Sequence, residues 1–394
     1  MSDVERLDRY RLVTSRRPGA LHAAARLAGV GVDTLVGRAL RGLFVRGGVP
    51  YLGPRELERS LDMMQPYCDP AIRSDPDRIF APATVPSLRQ VRATPLRTGT
   101  HVHAVFPTPY RPVHGVFGGQ WRRYDNVDTA HLFAWRHHRP APLSMLLVHG
   151  WGVGAKRLHE SEFGVDYFHR VLGLDVYYYV LPYHWVRKPS AATFSGELFP
   201  SGNLMRTNEG FVQTIQELRA IITMIKQRNP VPLGVMGSSL GGYTSALLSS
   251  VDDRLAFAVP VLPMGSLAEL FWDQGDDDPI RQTVESVGMT RARLQDAWAL
   301  HEPLNYAPKV PQAARMIVSA TGDMLVPPSH TESLWRHWGR PEHVRFAGGH
   351  ILQVYRRHYH LRVAQRLVAA GLLDAERVQR AHPRWSLPER AQCA

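Results

Sequence analysis

The segment GVMGSSLGG at residues 234–242 holds a serine between glycines at the spacing G-x-S-x-G, with Ser239 at its centre. A serine hydroxyl is a poor nucleophile unless it is exposed and held against a base. A sharp turn from strand to helix meets the first need, because it presents the serine at the edge of a sheet. Gly237 and Gly241 permit the close backbone approach that such a turn requires. Taken alone the pattern is weak. Its setting strengthens it: PLGVMGSS (232–239) reads as an apolar strand, and TSALLSSV (244–251) continues as a helix.

A carboxylate and then a histidine should follow such a serine along the chain. IVSATGDMLVPP (317–328) sets Asp323 in a Gly-Asp turn after an apolar strand. VRFAGGHILQ (344–353) sets His350 behind two glycines after the next strand. Between them there is room for one helix, around Glu332 to Trp338, and one strand, as successive sheet edges demand. His350 is the expected general base and Asp323 the carboxylate that fixes its tautomer. Asp252, Asp253 and the acidic cluster at 273–278 follow no clear strand at the right point. A tetrahedral intermediate also needs two N–H donors aimed at its oxyanion. Leu240, just after the serine, would supply one, and Trp151 in LLVHGWGVG (146–154) the other. His149 in that segment reads as a residue that shapes the loop.

Around these motifs, HLFAWRHH (131–138), LSMLLVHG (143–150), DVYYYVLPYH (175–184), LAFAVPVLP (255–263), ARMIVSATGD (314–323) and EHVRFAGG (342–349) read as further strands. NEGFVQTIQELRAIITMIKQRN (208–229) and ILQVYRRHYHLRVAQRLVAAGLL (351–373) read as long helices. Such alternation implies an α/β protein, its mainly parallel central sheet covered by helices on both faces. The catalytic domain is expected at 91–375, a helical N-terminal extension at 1–90 and a tail at 376–394. In the extension, residues 20–48 carry apolar side chains at helical spacing, with Arg26, Arg38, Arg41 and Arg46 on other positions. Gly29 and Gly31 should divide this stretch into two short helices. It reads either as an appendage packed on the core or as an amphipathic segment lying on an anionic membrane. PRELERSLDMM (54–64) is another expected helix, and 65–90 an expected linker. The insertion at 264–313 is long enough to have helices of its own and to act as a lid. Its Leu267, Leu270, Phe271 and Trp272 are candidates to line a pocket for an apolar chain, or ordinary packing residues.

Composition narrows the class. Hydrophobic residues make up 44% and charged residues 21% of the 394, as in soluble globular proteins. No apolar run approaches the roughly 20 residues that span a bilayer. The opening MSDVERLDRYR does not read as a secretory signal. With only Cys68 and Cys393, a disulfide framework or thiolate metal site has little support. A reducing cytoplasm is the expected compartment, with a membrane-peripheral position as the variant. The net charge is +12, and only four of the 47 basic residues are lysine. Arginine-rich genome composition explains that charge, or attraction to an anionic surface does. Lipid suits it better than nucleic acid, for which no recognition motif is present. His101 and His103 in THVH (100–103) lack partner motifs for a metal, and the adjacent His137 and His138 read as surface residues. No metal and no cofactor are expected, and no nucleotide-binding glycine motif occurs.

With strand, serine turn, acid and base in this order, residues 95–373 resemble the α/β-hydrolase superfamily through HGWG, GSSLGG, GDMLVPP and GGH. The resemblance implies an α/β-hydrolase fold with Ser239 as nucleophile, His350 as base, Asp323 as acid, and oxyanion donors at Leu240 and Trp151. PYHWVRKP (182–189), SGNLMR (201–206) and GVMGSSLGG together are similar to a subgroup of hydrolases that includes mitochondrial cardiolipin-deacylase-like proteins. The expected activity is hydrolysis of a carboxylic ester, on a small-molecule or lipid substrate, through an acyl-enzyme on Ser239. Arg187 and Lys188, just beyond a strand end, would meet an acidic head group or belong to a solvated loop. Acyl transfer or peptide cleavage by the same three residues, or a non-catalytic binding scaffold, are the alternatives.

Overall fold

The computed structural model describes residues 20–46, 53–82, 84–152, 160–273, 278–353 and 356–382. Segments rich in Val, Leu, Met and Tyr become strands buried on both faces, as expected inside a parallel sheet. In chain order the strands are β1 (Arg89–Pro95), β2 (Gly99–Pro107), β3 (Thr129–His137), β4 (Ser144–Val148) and β5 (Asp175–Tyr179). They continue as β6 (Leu233–Ser238), β7 (Phe257–Val261), β8 (Met316–Ala320) and β9 (Glu342–Phe346). Among the described residues they form one nine-stranded sheet, in the order β1-β2-β3-β5-β4-β6-β7-β8-β9. From β5 to β9 every pairing is parallel, whereas β1, β2, β3 and β5 pair antiparallel. Every residue of β4 to β8 is buried, while β1 is exposed along its whole length as an edge strand. Parallel neighbours bring their C-terminal ends to one edge. The loops after β4, β6, β8 and β9 therefore meet there, and they carry Trp151, Ser239, Asp323 and His350.

The N-terminal stretch differs from expectation in one respect. Ala20–Arg46 is a single helix, undivided by Gly29 and Gly31. Gly29 serves packing instead: a Cβ there would lie 2.2 Å from the backbone nitrogen of Gly349, so glycine lets this helix press against the loop before His350. The side chains of Arg38, Arg41 and Arg46 lie outside those described. Residues 65–90 are no linker. They form a 3-10 turn Gln65–Tyr67 and the short helices Pro70–Ser74 and Asp77–Phe80, with Tyr67, Ile72, Ile79 and Phe80 buried. Proline and aspartate open these short helices rather than disordering the segment, since Asp69 caps the backbone of Ala71. The closing helix starts at Arg356 rather than at 351, with 354–355 outside the described residues. Among the described residues the insertion contains three α-helices, Leu267–Trp272, Pro279–Ser286 and Arg291–Trp298. Asp276 and Asp277 of its acidic cluster lie outside the described residues, as do residues 383–394, while the first part of the expected tail at 376–394 is a helix, Ala375–Ala381. No helix among the described residues is long and apolar enough to cross a membrane.

Arg187 neither meets a substrate nor sits in a solvated loop. It is fully buried, and both terminal nitrogens donate to Glu217 on the helix Leu204–Arg228, at 2.7 and 2.9 Å. Thr108 and Tyr179 hydroxyls and the Gln213 amide also donate to Glu217. Arg187 further donates to the carbonyls of Val180 and Val127. Two charges taken out of water hold only if their remaining hydrogen-bonding positions are filled, which this network largely achieves. It ties the loop after β5 to the long helix behind the sheet. Lys188 is likewise turned inward, its ammonium donating to the carbonyl of Ala192 at 2.6 Å. Glu217→Ala strands the buried guanidinium and should destabilise the fold by about 3–5 kcal/mol in urea unfolding; an unchanged midpoint would mean that the pair carries no stability.

Candidate active site

The site begins with backbone strain. Ser239 has φ 56° and ψ −116°, a region that a side-chain-bearing residue occupies at a cost of roughly 1–3 kcal/mol. Its neighbours show why only glycine fits beside it. A Cβ on Gly237 would lie 2.0 Å from the carbonyl oxygen of Gly241, and one on Gly241 2.0 Å from that of Val148. The turn is pinned by the Ser239 N–H donating to Val261 at 2.8 Å and the Ser239 carbonyl accepting from Tyr243 at 2.9 Å. The helix Leu240–Val251 starts at once, so the Leu240 N–H belongs to the first turn, whose donors find no carbonyl within their own helix.

The three expected side chains converge. His350 Nε2 lies 2.8 Å from Ser239 Oγ, and His350 Nδ1 lies 2.7 Å from Asp323 Oδ2. The other carboxylate oxygen of Asp323 accepts from the N–H groups of Leu325 and Val326, at 3.0 and 2.7 Å. That leaves Oδ2 aimed at the imidazole. Burial works to lower the His350 pKa, but the facing Asp323 carboxylate, with Asp33 and Glu162 farther off, outweighs it and holds the imidazole above its usual value.

On the β4 side, Gly150 passes so near that a Cβ there would lie 3.3 Å from the Ser239 Cβ. Trp151 follows, half-buried at the cavity wall, its indole N–H donating to the Gly196 carbonyl at 2.8 Å. This contact fixes the loop beside Ser239. His149 is fully buried and takes no part in the opening: its Nε2 accepts from the Leu181 N–H, and its Nδ1 lies 2.7 Å from the Gly150 carbonyl.

Ser239 and His350 open into a cavity of about 280 Å³, near the lower end of the range of ligand pockets, about 300–1,000 Å³. Leu267, Leu270 and Phe271 from the insertion line it, with Ile280, Val284, Leu294 and Trp298 from the same cap. Trp272 is the exception among the expected residues. It turns away from the cavity, buried beneath the Arg281 guanidinium, 5.1 Å from its ring centre.

No family model matches the chain. It is 31% identical over 314 residues to the uncharacterized protein Rv2627c of Mycobacterium tuberculosis, an alignment covering 77% of this chain and 73% of that one. The chain belongs to the family of that protein. Among solved structures it is similar to acetyl xylan esterase 1 of Thermoanaerobacterium sp. JW/SL YS485, with TM-score 0.56 and 12% identity, covering 79% of this chain and 94% of that one. An acetyl xylan esterase from Paenibacillus sp. R4 superposes with TM-score 0.54 at 14% identity, covering 71% and 88%. At such identities the likeness is one of fold, and that fold is the α/β-hydrolase fold.

Two features of this family member were not foreseen from residue types. Asp33, in the N-terminal helix, is fully buried against the loops of Asp323 and His350, accepting from Met324, His350 and Ile351 N–H groups at 3.1, 2.6 and 3.0 Å. An aspartate inside an apolar helical stretch is the signal that sequence offered. Second, His137, His169 and Asp175 gather where β3 ends and β5 begins, at the opposite end of the sheet from Ser239, with ligand-type atoms within 4.8 Å of one another. His137 Nδ1 lies 3.0 Å from Asp175, and His169 Nδ1 lies 3.0 Å from the Leu174 carbonyl, so hydrogen bonds account for the grouping. His101 stacks among Phe133 and Trp135, and His103 meets His131 at 3.0 Å.

A base must be neutral to accept a proton, so the acid limb of kcat/KM should report His350 and lie above the ordinary imidazole value of about 6.5. Asp323→Asn removes the largest effect raising it and should move the limb to lower pH. A limb unmoved by that change would detach Asp323 from the imidazole's protonation.

Proposed function

We propose that this protein is a serine hydrolase that cleaves a carboxylic ester with a hydrophobic acyl part, through an acyl-enzyme on Ser239. One observation carries the reading: Ser239 Oγ stands within hydrogen-bonding reach of an imidazole backed by a carboxylate, at the mouth of an apolar cavity. Ser239 Oγ attacks the acyl carbon while His350 Nε2 takes its proton. The Leu240 and Trp151 N–H groups stabilise the oxyanion. Collapse expels the alcohol, which takes the proton from His350. Water then gives a proton to His350 and attacks the acyl carbon, and the acid leaves as Ser239 recovers its hydrogen.

The cap favours an acyl chain over a peptide. A peptide would bring amides that need hydrogen-bond partners, whereas leucines, isoleucine, phenylalanine and tryptophan dominate the wall. The similarity of residues 182–189, 201–206 and 234–242 to cardiolipin-deacylase-like hydrolases supports a lipid ester within this class. The acidic head group would be met by residues other than Arg187, which the Glu217 pair occupies.

Two measurements test the reading. Short-chain p-nitrophenyl esters should be turned over, and Ser239→Ala should lower kcat about ten-thousandfold or more; turnover surviving in the variant would point to a different nucleophile. Leu270→Trp, which fills the cap side of the cavity, should lower kcat/KM for an octanoyl ester about tenfold while sparing the acetyl ester. Equal losses on both esters would place the acyl chain elsewhere.

A further inference from the structure

We infer that Asp33 is a positioning residue for the triad, and that the N-terminal helix holds the loops of acid and base in register through its carboxylate. The inference rests on the hydrolase reading of the site. The base and the acid sit on separate loops, after β9 and β8, and neither loop belongs to a helix or strand at the residue concerned. Loops of that kind need a partner if two side chains are to stay aligned within a fraction of an ångström. The Asp33 carboxylate is that partner. One oxygen accepts from the His350 N–H at 2.6 Å and from the Met324 N–H at 3.1 Å, and the other accepts from the Ile351 N–H at 3.0 Å. A single carboxylate thus bridges the residue after the acid and the base itself.

The helix is shaped for this contact. Its inward positions are Gly29, Asp33 and Gly37, each four residues apart and therefore along one face. Gly29 lies against the Gly348–Gly349 backbone, Asp33 reaches the N–H groups, and Gly37 faces Leu325 and borders the cavity. The opposite face shows Leu21, Leu27 and Leu35, which are 82%, 70% and 69% exposed. Buried with no other charge among the described residues in hydrogen-bonding reach, the Asp33 carboxylate is stabilised by N–H groups that keep these geometries only while the loops are in place. Asp33 also stands near enough to His350 for its negative charge to favour the imidazolium.

Asp33→Asn keeps the shape, removes the charge and turns one acceptor into a donor facing N–H groups. In the full-length chain it should lower kcat for a p-nitrophenyl ester about a hundredfold with little change in KM, as a small misplacement of reacting groups does. The acid limb of the pH profile should move to lower pH. Independently of activity, hydrogen–deuterium exchange should speed up in peptides covering 322–326 and 348–353. Gly29→Ala, which leaves the carboxylate but pushes the helix off Gly349, gives the same readouts if the asparagine variant does not fold. Leu35→Ser on the exposed face should leave all of them at parental values. Parental exchange and parental kcat in both inward variants would overturn the inference. Faster exchange in a chain whose parent shows no ester turnover would uphold the clamp and sink the hydrolase reading instead.

Discussion

The turn at Ser239 is the constraint on which the site depends. Its backbone is forced into a strained conformation because the helix Leu240–Val251 must start immediately where β6 ends, with the Val148 carbonyl packed against Gly241. The strain lifts the hydroxyl clear of the sheet edge, and the parallel strands then decide what it can meet. β8 and β9 lie on one side of β6, with β7 between, and deliver Asp323 and His350. β4 lies on the other side and delivers the Gly150–Trp151 loop. Ser239, the Asp323–His350 pair and the Gly150–Trp151 loop are thus brought to one edge by topology alone.

Around this edge two helical elements do different work. The insertion at 264–313 supplies an apolar wall to one side of the cavity. The N-terminal helix supplies a buried carboxylate and so steadies the loops on the other side. Behind the sheet, Arg187 and Glu217 lock the segment after β5 to the long helix without reaching the cavity. The buried charges of Asp33, Arg187 and Glu217 therefore serve the scaffold.

The parallel sheet is legible in the sequence because its strands are short apolar runs separated by helical periodicity. The motif spacing brought out the serine turn, since the two glycines are required by contacts with carbonyls that any sheet of this kind provides. What stayed hidden depends on tertiary contact. Gly29 looks like a helix breaker until Gly349 is seen against it. Asp33 looks like a polar lapse in an apolar helix until the N–H groups at 324, 350 and 351 are seen around it. Residues 65–90, with their prolines and aspartates, read as a linker, although those residues cap and open short helices whose apolar side chains are buried. Arg187 has the composition of a substrate contact, and only the position of Glu217, thirty residues on, reveals its partner.

The central claim is that Ser239 is the nucleophile. It is tested most directly by treating the full-length protein with a fluorophosphonate and mapping the adduct by peptide mass spectrometry. One phosphonyl group is expected, on the peptide containing Ser239, with labelling lost in Ser239→Ala. An adduct on another residue, or labelling that persists in that variant, would contradict it.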